Sequence, residues 1–127
     1  MSERLTNSMQ WIEYKGTRIL FADYGTLRGA DLATAIKANE VAIAEMGKAG
    51  TTGLRVLTDA SDVMMDEQVI DAFKSIARTM QPYTLGSAIV GVTGLRKFAL
   101  EMVNHFSKME SKPFDSVEKA KDWLRGL

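Results

Sequence analysis

From residue 11 onward the chain alternates between short apolar runs and longer stretches in which apolar residues recur at helical spacing. Trp11 to Tyr14 and Thr17 to Tyr24 are predicted strands around Lys15-Gly16, a two-residue connection ending in glycine that marks a hairpin. Ile19-Leu20-Phe21-Ala22 is apolar at consecutive positions, so this strand is expected to be covered on both faces. A helix follows from about Ala30 to Lys48. Leu32, Ile36, Ile43 and Met46 form its stripe, and Gly47 and Gly50 end it. Asn39 interrupts that stripe; it could point into a pocket or a dimer seam, and the plainer expectation is a place at the stripe's edge with a backbone partner.

Leu54 to Thr58 is a short buried strand, and Asp59-Ala60-Ser61-Asp62 a loop after it. Val69, Ile70, Phe73, Ile76, Ala77 and Met80 give the helix from Glu67 to Met80 a continuous apolar face. Asp66 is placed to cap it, with Met65 and Ile70 as a hydrophobic staple. Leu85 to Val92 is another strand apolar on both faces. Thr93 is placed to cap the helix starting at Gly94, whose inner face is expected to carry Leu95, Phe98, Ala99, Met102, Phe106 and Met109. A short strand near Lys112 to Phe114 precedes the capping-box spacing Asp115-Ser116-Val117-Glu118, and a last helix buries Val117, Ala120 and Leu124. Strands alternating with helices imply an α/β domain. Its sheet is mixed and mostly parallel, packed with about four helices after an opening hairpin. Residues 1–10 are expected to be a loose terminus and 11–127 a single domain, with Pro82 and Pro113 in short connections.

Composition narrows the function classes. The 127 residues suffice for one core, and 46% apolar with 25% charged residues is an ordinary globular balance. Sixteen basic and sixteen acidic residues cancel, without the basic stripe of a nucleic-acid binder, so no nucleic-acid partner is expected. There is no cysteine, which removes disulfides, thiolate nucleophiles and cysteine-ligated metals. The polar start and the absence of an apolar run of about 20 residues point to a cytoplasmic protein without a membrane span. Gly25-Thr26-Leu27-Arg28-Gly29 lacks the serine of a nucleophile elbow, and no catalytic triad, dinucleotide fingerprint, cofactor motif or metal motif is found. The lone His105 has no orienting partner legible in the sequence, so it is expected to be structural.

Four segments resemble the SpoIIAA-like family, relatives of the STAS domain: Ile12-Glu13-Tyr14-Lys15-Gly16 with the strand after it; Leu57-Thr58-Asp59; Ser87 through Leu95; and Pro113-Phe114-Asp115 followed by Ala120 and Trp123-Leu124. The resemblance implies a STAS-like or CRAL-TRIO-like α/β sandwich, of the kind usual in bacterial proteins of unassigned function. It also implies two roles: a partner-binding switch, or a carrier holding a lipid in an apolar pocket. STAS switches share Asp-Ser-Ser/Thr-Gly-Leu at a helix start, with a phosphorylated hydroxyl. The comparable connection here, Asp59-Ala60-Ser61-Asp62-Val63-Met64-Met65, has one serine between two aspartates and no glycine.

Ligands of open α/β sheets bind beyond the carboxyl ends of the strands, and two connections lie there. In the first, Asp59 and Ser61 are candidate ligand or partner residues and Ser61 a candidate phosphorylation site, although the same residues also make ordinary turns. Met64 and Met65 follow; two adjacent methionines cannot share one helical face, so one is expected to be exposed, meeting a partner or covering a pocket. In the second, Thr93, Gly94 and Arg96 open a helix whose N–H groups could take an anionic ligand, against the plainer reading of a capped turn. The leading expectation is a non-enzymatic STAS-like module that binds a protein partner or itself as a homodimer. The alternative is a carrier of a small apolar molecule or lipid, which needs a cavity of a few hundred Å³.

Overall fold

A computed structural model describes residues 3–94 and 96–127. The elements are β1 (Glu3–Arg4), β2 (Met9–Tyr14), β3 (Thr17–Asp23), α1 (Gly29–Lys48), β4 (Leu54–Asp59), α2 (Glu67–Met80), β5 (Thr84–Val90), α3 (Arg96–Ser107), β6 (Ser111–Phe114) and α4 (Val117–Arg125), with a short 3-10 turn at Gln81–Tyr83. The six strands form one sheet in chain order. The pairs β1–β2 and β2–β3 are antiparallel, and β3–β4, β4–β5 and β5–β6 are parallel. This is the mixed, mostly parallel sheet with four helices and an opening hairpin that the pattern predicts. The hairpin turn places Lys15 at φ 49° and Gly16 at φ 82°, the two left-handed positions that match the twist of the flanking strands.

Crossovers of one hand that step the same way along a sheet put their helices on one face. Accordingly α1, α2 and α3 lie side by side over the main core, where Leu20, Ala22, Val56 and Ile89 meet Ile36, Phe73 and Leu100. The opposite face is left to α4, which brings Ala120 and Leu124 onto Ile19, Leu57, Ala88 and Val90. Consecutive residues of β3 therefore enter different cores, which is why its sequence is apolar without alternation.

Four expectations change. Residues 3–10 are not a loose terminus: β1 pairs Glu3 with Trp11, and Met9 is buried in β2. Residues 1 and 2 lie outside the described residues, as does Leu95. Asn39 sits in the middle of the α1 stripe, fully buried, and its partners are side chains. Its Nδ2 donates to Tyr24 OH at 2.8 Å and Ser8 Oγ at 3.0 Å, while Thr6 Oγ1 donates to its Oδ1 at 2.5 Å. This network ties the N-terminal segment to α1 and orders it. Pro113 lies within the edge strand β6, the short strand expected near Lys112 to Phe114, and not in a connection, a position where its missing N–H costs no ladder bond.

The fourth change concerns α3. Ala99, Leu100, Val103 and Ser107 are its buried residues, and Met109 is buried just beyond it, whereas Phe98, Met102 and Phe106 are 64%, 47% and 46% exposed. Two parallel rows of the helix are apolar, 98/102/106 and 99/103, and spacing alone cannot say which one turns inward. The smaller side chains do. Ser107 joins them because its hydroxyl donates to Val103 O at 2.7 Å and accepts from Met109 N at 3.2 Å.

Two stability effects follow. Asn39→Leu keeps the branching of the side chain but leaves the Tyr24, Thr6 and Ser8 hydroxyls without their partner; thermal melts should show a loss of about 2–3 kcal/mol, the cost of stranding buried polar groups. Burial pushes the Tyr24 hydroxyl up to about 12, against 10.0 for an ordinary tyrosine, with its Asn39 hydrogen bond pulling the other way. The folded state thus holds this proton more tightly than the unfolded chain. The contribution is complete below pH 10 and is lost as pH rises from there through about 12. Denaturant titrations between these pH values should fall more steeply for the native chain than for Tyr24→Phe; equal slopes would contradict this account.

Candidate functional site at the carboxyl end of the sheet

The register aligns Asp23 with Asp59 and Asp59 with Val90, so the three parallel strands end level. Pairing continues one step further, with Tyr24 N to Asp59 O at 3.0 Å and Ala60 N to Val90 O at 2.9 Å. The chain from Ala60 to Asp66 then folds over this edge. Asp59 Oδ1 accepts from Ser61 N at 3.0 Å and from Ser61 Oγ at 2.6 Å, closing an Asx turn of the kind aspartate favours. Asp66 Oδ1 accepts Val69 N at 2.8 Å and caps α2, as its position predicts.

The two candidate connections meet at one edge. Arg96, in the first turn of α3, reaches back across the edge. Its Nη1 lies within 3.3 Å of Ala60 O, 3.0 Å of Ser61 O and 3.4 Å of Val63 O, donating to this cluster of carbonyls. Charge-assisted bonds to neutral carbonyls are stronger than those between neutral groups, so Arg96 holds the Ser61 loop through Nη1. Gly91 completes the fit. It has φ +88°, and a Cβ on it would lie 2.2 Å from Ser61 Cα, so only glycine lets the two backbones approach.

Asp59, Ser61, Met64, Met65 and Arg96 are therefore brought together, and Ser61, Met64, Met65 and Arg96 line one open groove with Asp62, Val63 and Asp66. Thr93 and Gly94 lead into α3, their carbonyls accepting Arg96 N at 3.2 Å and Lys97 N at 3.1 Å. Met64 is 68% exposed, whereas Met65 packs against the main core. A second shallow groove shares Met65 and Arg96 with the first and is lined by Ile70, Phe98, Ala99 and Met102. Phe106 lies further along α3, with Lys74 and Arg78 over its ring at 5.5 and 5.4 Å from the centroid. This apolar strip was missed in the sequence because its residues were assigned to the core. The available signal was their spacing of four, one position out of phase with Ala99 and Val103. His105 is exposed on the same helix.

Beneath the helices the main core holds a void of about 40 Å³, walled by Tyr24, Phe73, Met80, Leu100 and Val103 among others. Among the described residues no three histidine, aspartate or glutamate side chains gather as a metal site, and no helix is long and apolar enough to cross a membrane.

The fold and this edge define the class: an α/β domain with a SpoIIAA-like fold, as the resemblance implies. A solved structure similar to this chain is that of an uncharacterized protein of the DUF3478 family from Shewanella loihica PV-4, described as having a SpoIIAA-like fold. It is 19% identical, the match covers 98% of each chain, and the TM-score is 0.68. No family model matches the sequence, and no curated protein does.

The clamp gives two expected outcomes. Gly91→Ala should cost about 2–4 kcal/mol, combining an unfavourable φ with a backbone clash, read as a lower midpoint of urea unfolding. Arg96→Met should leave the sheet intact but speed amide hydrogen exchange of Ala60 to Met65; unchanged exchange there would mean that Arg96 does not hold the loop.

Proposed function

We propose that this domain is a non-enzymatic, cytoplasmic interaction module that docks a polypeptide on the surface formed by Met64, Phe98, Met102 and Phe106. The observation that carries the reading is the exposure of these four side chains on neighbouring elements, 46% or more each, beside two shallow grooves. Contiguous exposed apolar surface rimmed by polar residues marks interaction sites, and methionine and aromatic side chains are favoured in interface centres. In this reading the clamped loop presents Met64 to the partner, and Ser61 is its control point. A phosphate on Ser61 would replace the hydroxyl proton given to Asp59 and set like charges side by side, loosening the loop that carries Met64.

The carrier reading requires a cavity of a few hundred Å³. The void of about 40 Å³ is an order of magnitude smaller and favours the interaction module.

A photo-crosslinking amino acid placed at Phe98 or Met102 in cells that make the protein should give covalent adducts to a polypeptide identified by tandem mass spectrometry. The same residue at exposed Lys48, at the far end of α1, should not. Ser61→Glu should reduce the adducts and Ser61→Ala should preserve them. Equal labelling at Lys48, or none at Phe98 and Met102, would remove the docking face. Native mass spectra should show only whole multiples of the polypeptide mass; a small-molecule adduct released on denaturation would turn the assignment to the carrier.

A further inference from the structure

The proposed docking face is self-complementary, and we infer that its occupant is a second copy of this chain, packed antiparallel across α3 on a two-fold axis near Met102. This inference rests on the interaction reading above and specifies the partner. Phe98 and Phe106 stand four residues to either side of Met102 on the exposed row of α3, each about 6 Å along the helix from it. A two-fold axis through Met102 exchanges them, so that Phe98 of one copy meets Phe106 of the other. Two-fold interfaces use the same patch twice and demand this palindromic spacing.

The charges alongside follow the same symmetry. Glu67, Asp71, Lys74 and Arg78 succeed one another along one side of α2 at spacings of four, three and four. Ile70 of that helix shares a groove with Phe98 and Met102, whereas Lys74 and Arg78 lie over Phe106. On α2 the acidic pair Glu67 and Asp71 thus flanks the Phe98 end of the strip and the basic pair Lys74 and Arg78 the Phe106 end, with Met102 between; Arg96, in the groove with Phe98, turns its Nη1 to the Ser61 loop. Among the described residues none of these four charges is in an ion pair. Antiparallel pairing sets the acidic end of each copy against the basic end of the other, twice over. It also opposes the α3 dipoles. A parallel arrangement would set like charge on like. Lys97, Glu101 and His105 fall on the other flank of α3 by helical spacing, at the rim, where solvent screens them.

Sedimentation equilibrium of the full chain should give twice the 14.0 kDa chain mass. Met102→Lys sets two ammonium groups on the axis and should weaken association by about thirtyfold or more, the scale of losing a central anchor. Circular dichroism should stay unchanged, because Met102 is not part of the core. Lys74→Glu with Arg78→Glu, and separately Glu67→Lys with Asp71→Lys, should each weaken the dimer, and an equimolar mixture of the two variants should restore it. A wild-type chain monomeric up to about 1 mM, the edge of specific affinity, would overturn the proposal. So would a Met102→Lys chain that dimerises as before, or a mixture that stays monomeric. If the chain is monomeric yet Phe98 crosslinks to a different polypeptide, the second copy is excluded and the docking face stands. If nothing crosslinks at Phe98, both fall.

Discussion

Strands β3 to β6 follow one another along the sheet in chain order, and that single constraint arranges nearly everything else. Crossovers of one hand must then lay α1, α2 and α3 in one layer on one face. The other face would be bare apolar surface, and α4, short as it is, covers it with Ala120 and Leu124. The same order ends β3, β4 and β5 level and brings their carboxyl-end connections together, which is the geometric origin of the Ser61–Arg96 edge.

A single layer of helices has an outer surface, and the helices treat it differently. At α1 the N-terminal segment folds alongside, and Thr6 and Ser8 meet Asn39 from outside the helix. On α2 the outward positions are mostly charged or hydroxylated, and Ser75 and Thr79 donate to Glu40 of α1. On α3 they are Phe98, Met102 and Phe106. Burial of such side chains is worth roughly 1.5–3 kcal/mol each, so their exposure is a stability forgone. A second surface that covers them recovers it.

The loop after β4 shows how turn chemistry becomes site chemistry. Asp59 and Ser61 satisfy each other as in any Asx turn, but Gly91 admits the loop against the β5 edge and Arg96 ties down its carbonyls. The exposed Met64 is therefore presented from a loop held at several points rather than from a free one. A chemical change at Ser61 would act on all of them.

Much of this was legible from residue spacing. The hairpin at Lys15-Gly16, the two-sided β3, the Asp66 cap and the four helices follow from local periodicity and turn chemistry, because those properties are set by neighbours within a few residues. Asn39 was legible as an interruption of a stripe but not as a network centre, since its partners lie 15 to 33 residues away. The separate connections at Ser61 and Arg96 were both visible. That they meet depended on strands from distant parts of the chain ending level. The inward row of α3 was beyond the sequence for a related reason. Two apolar rows at the same spacing are equivalent to a helix in isolation, and only the close approach of α2 and the sheet chose the smaller side chains for the core and left the larger ones outside.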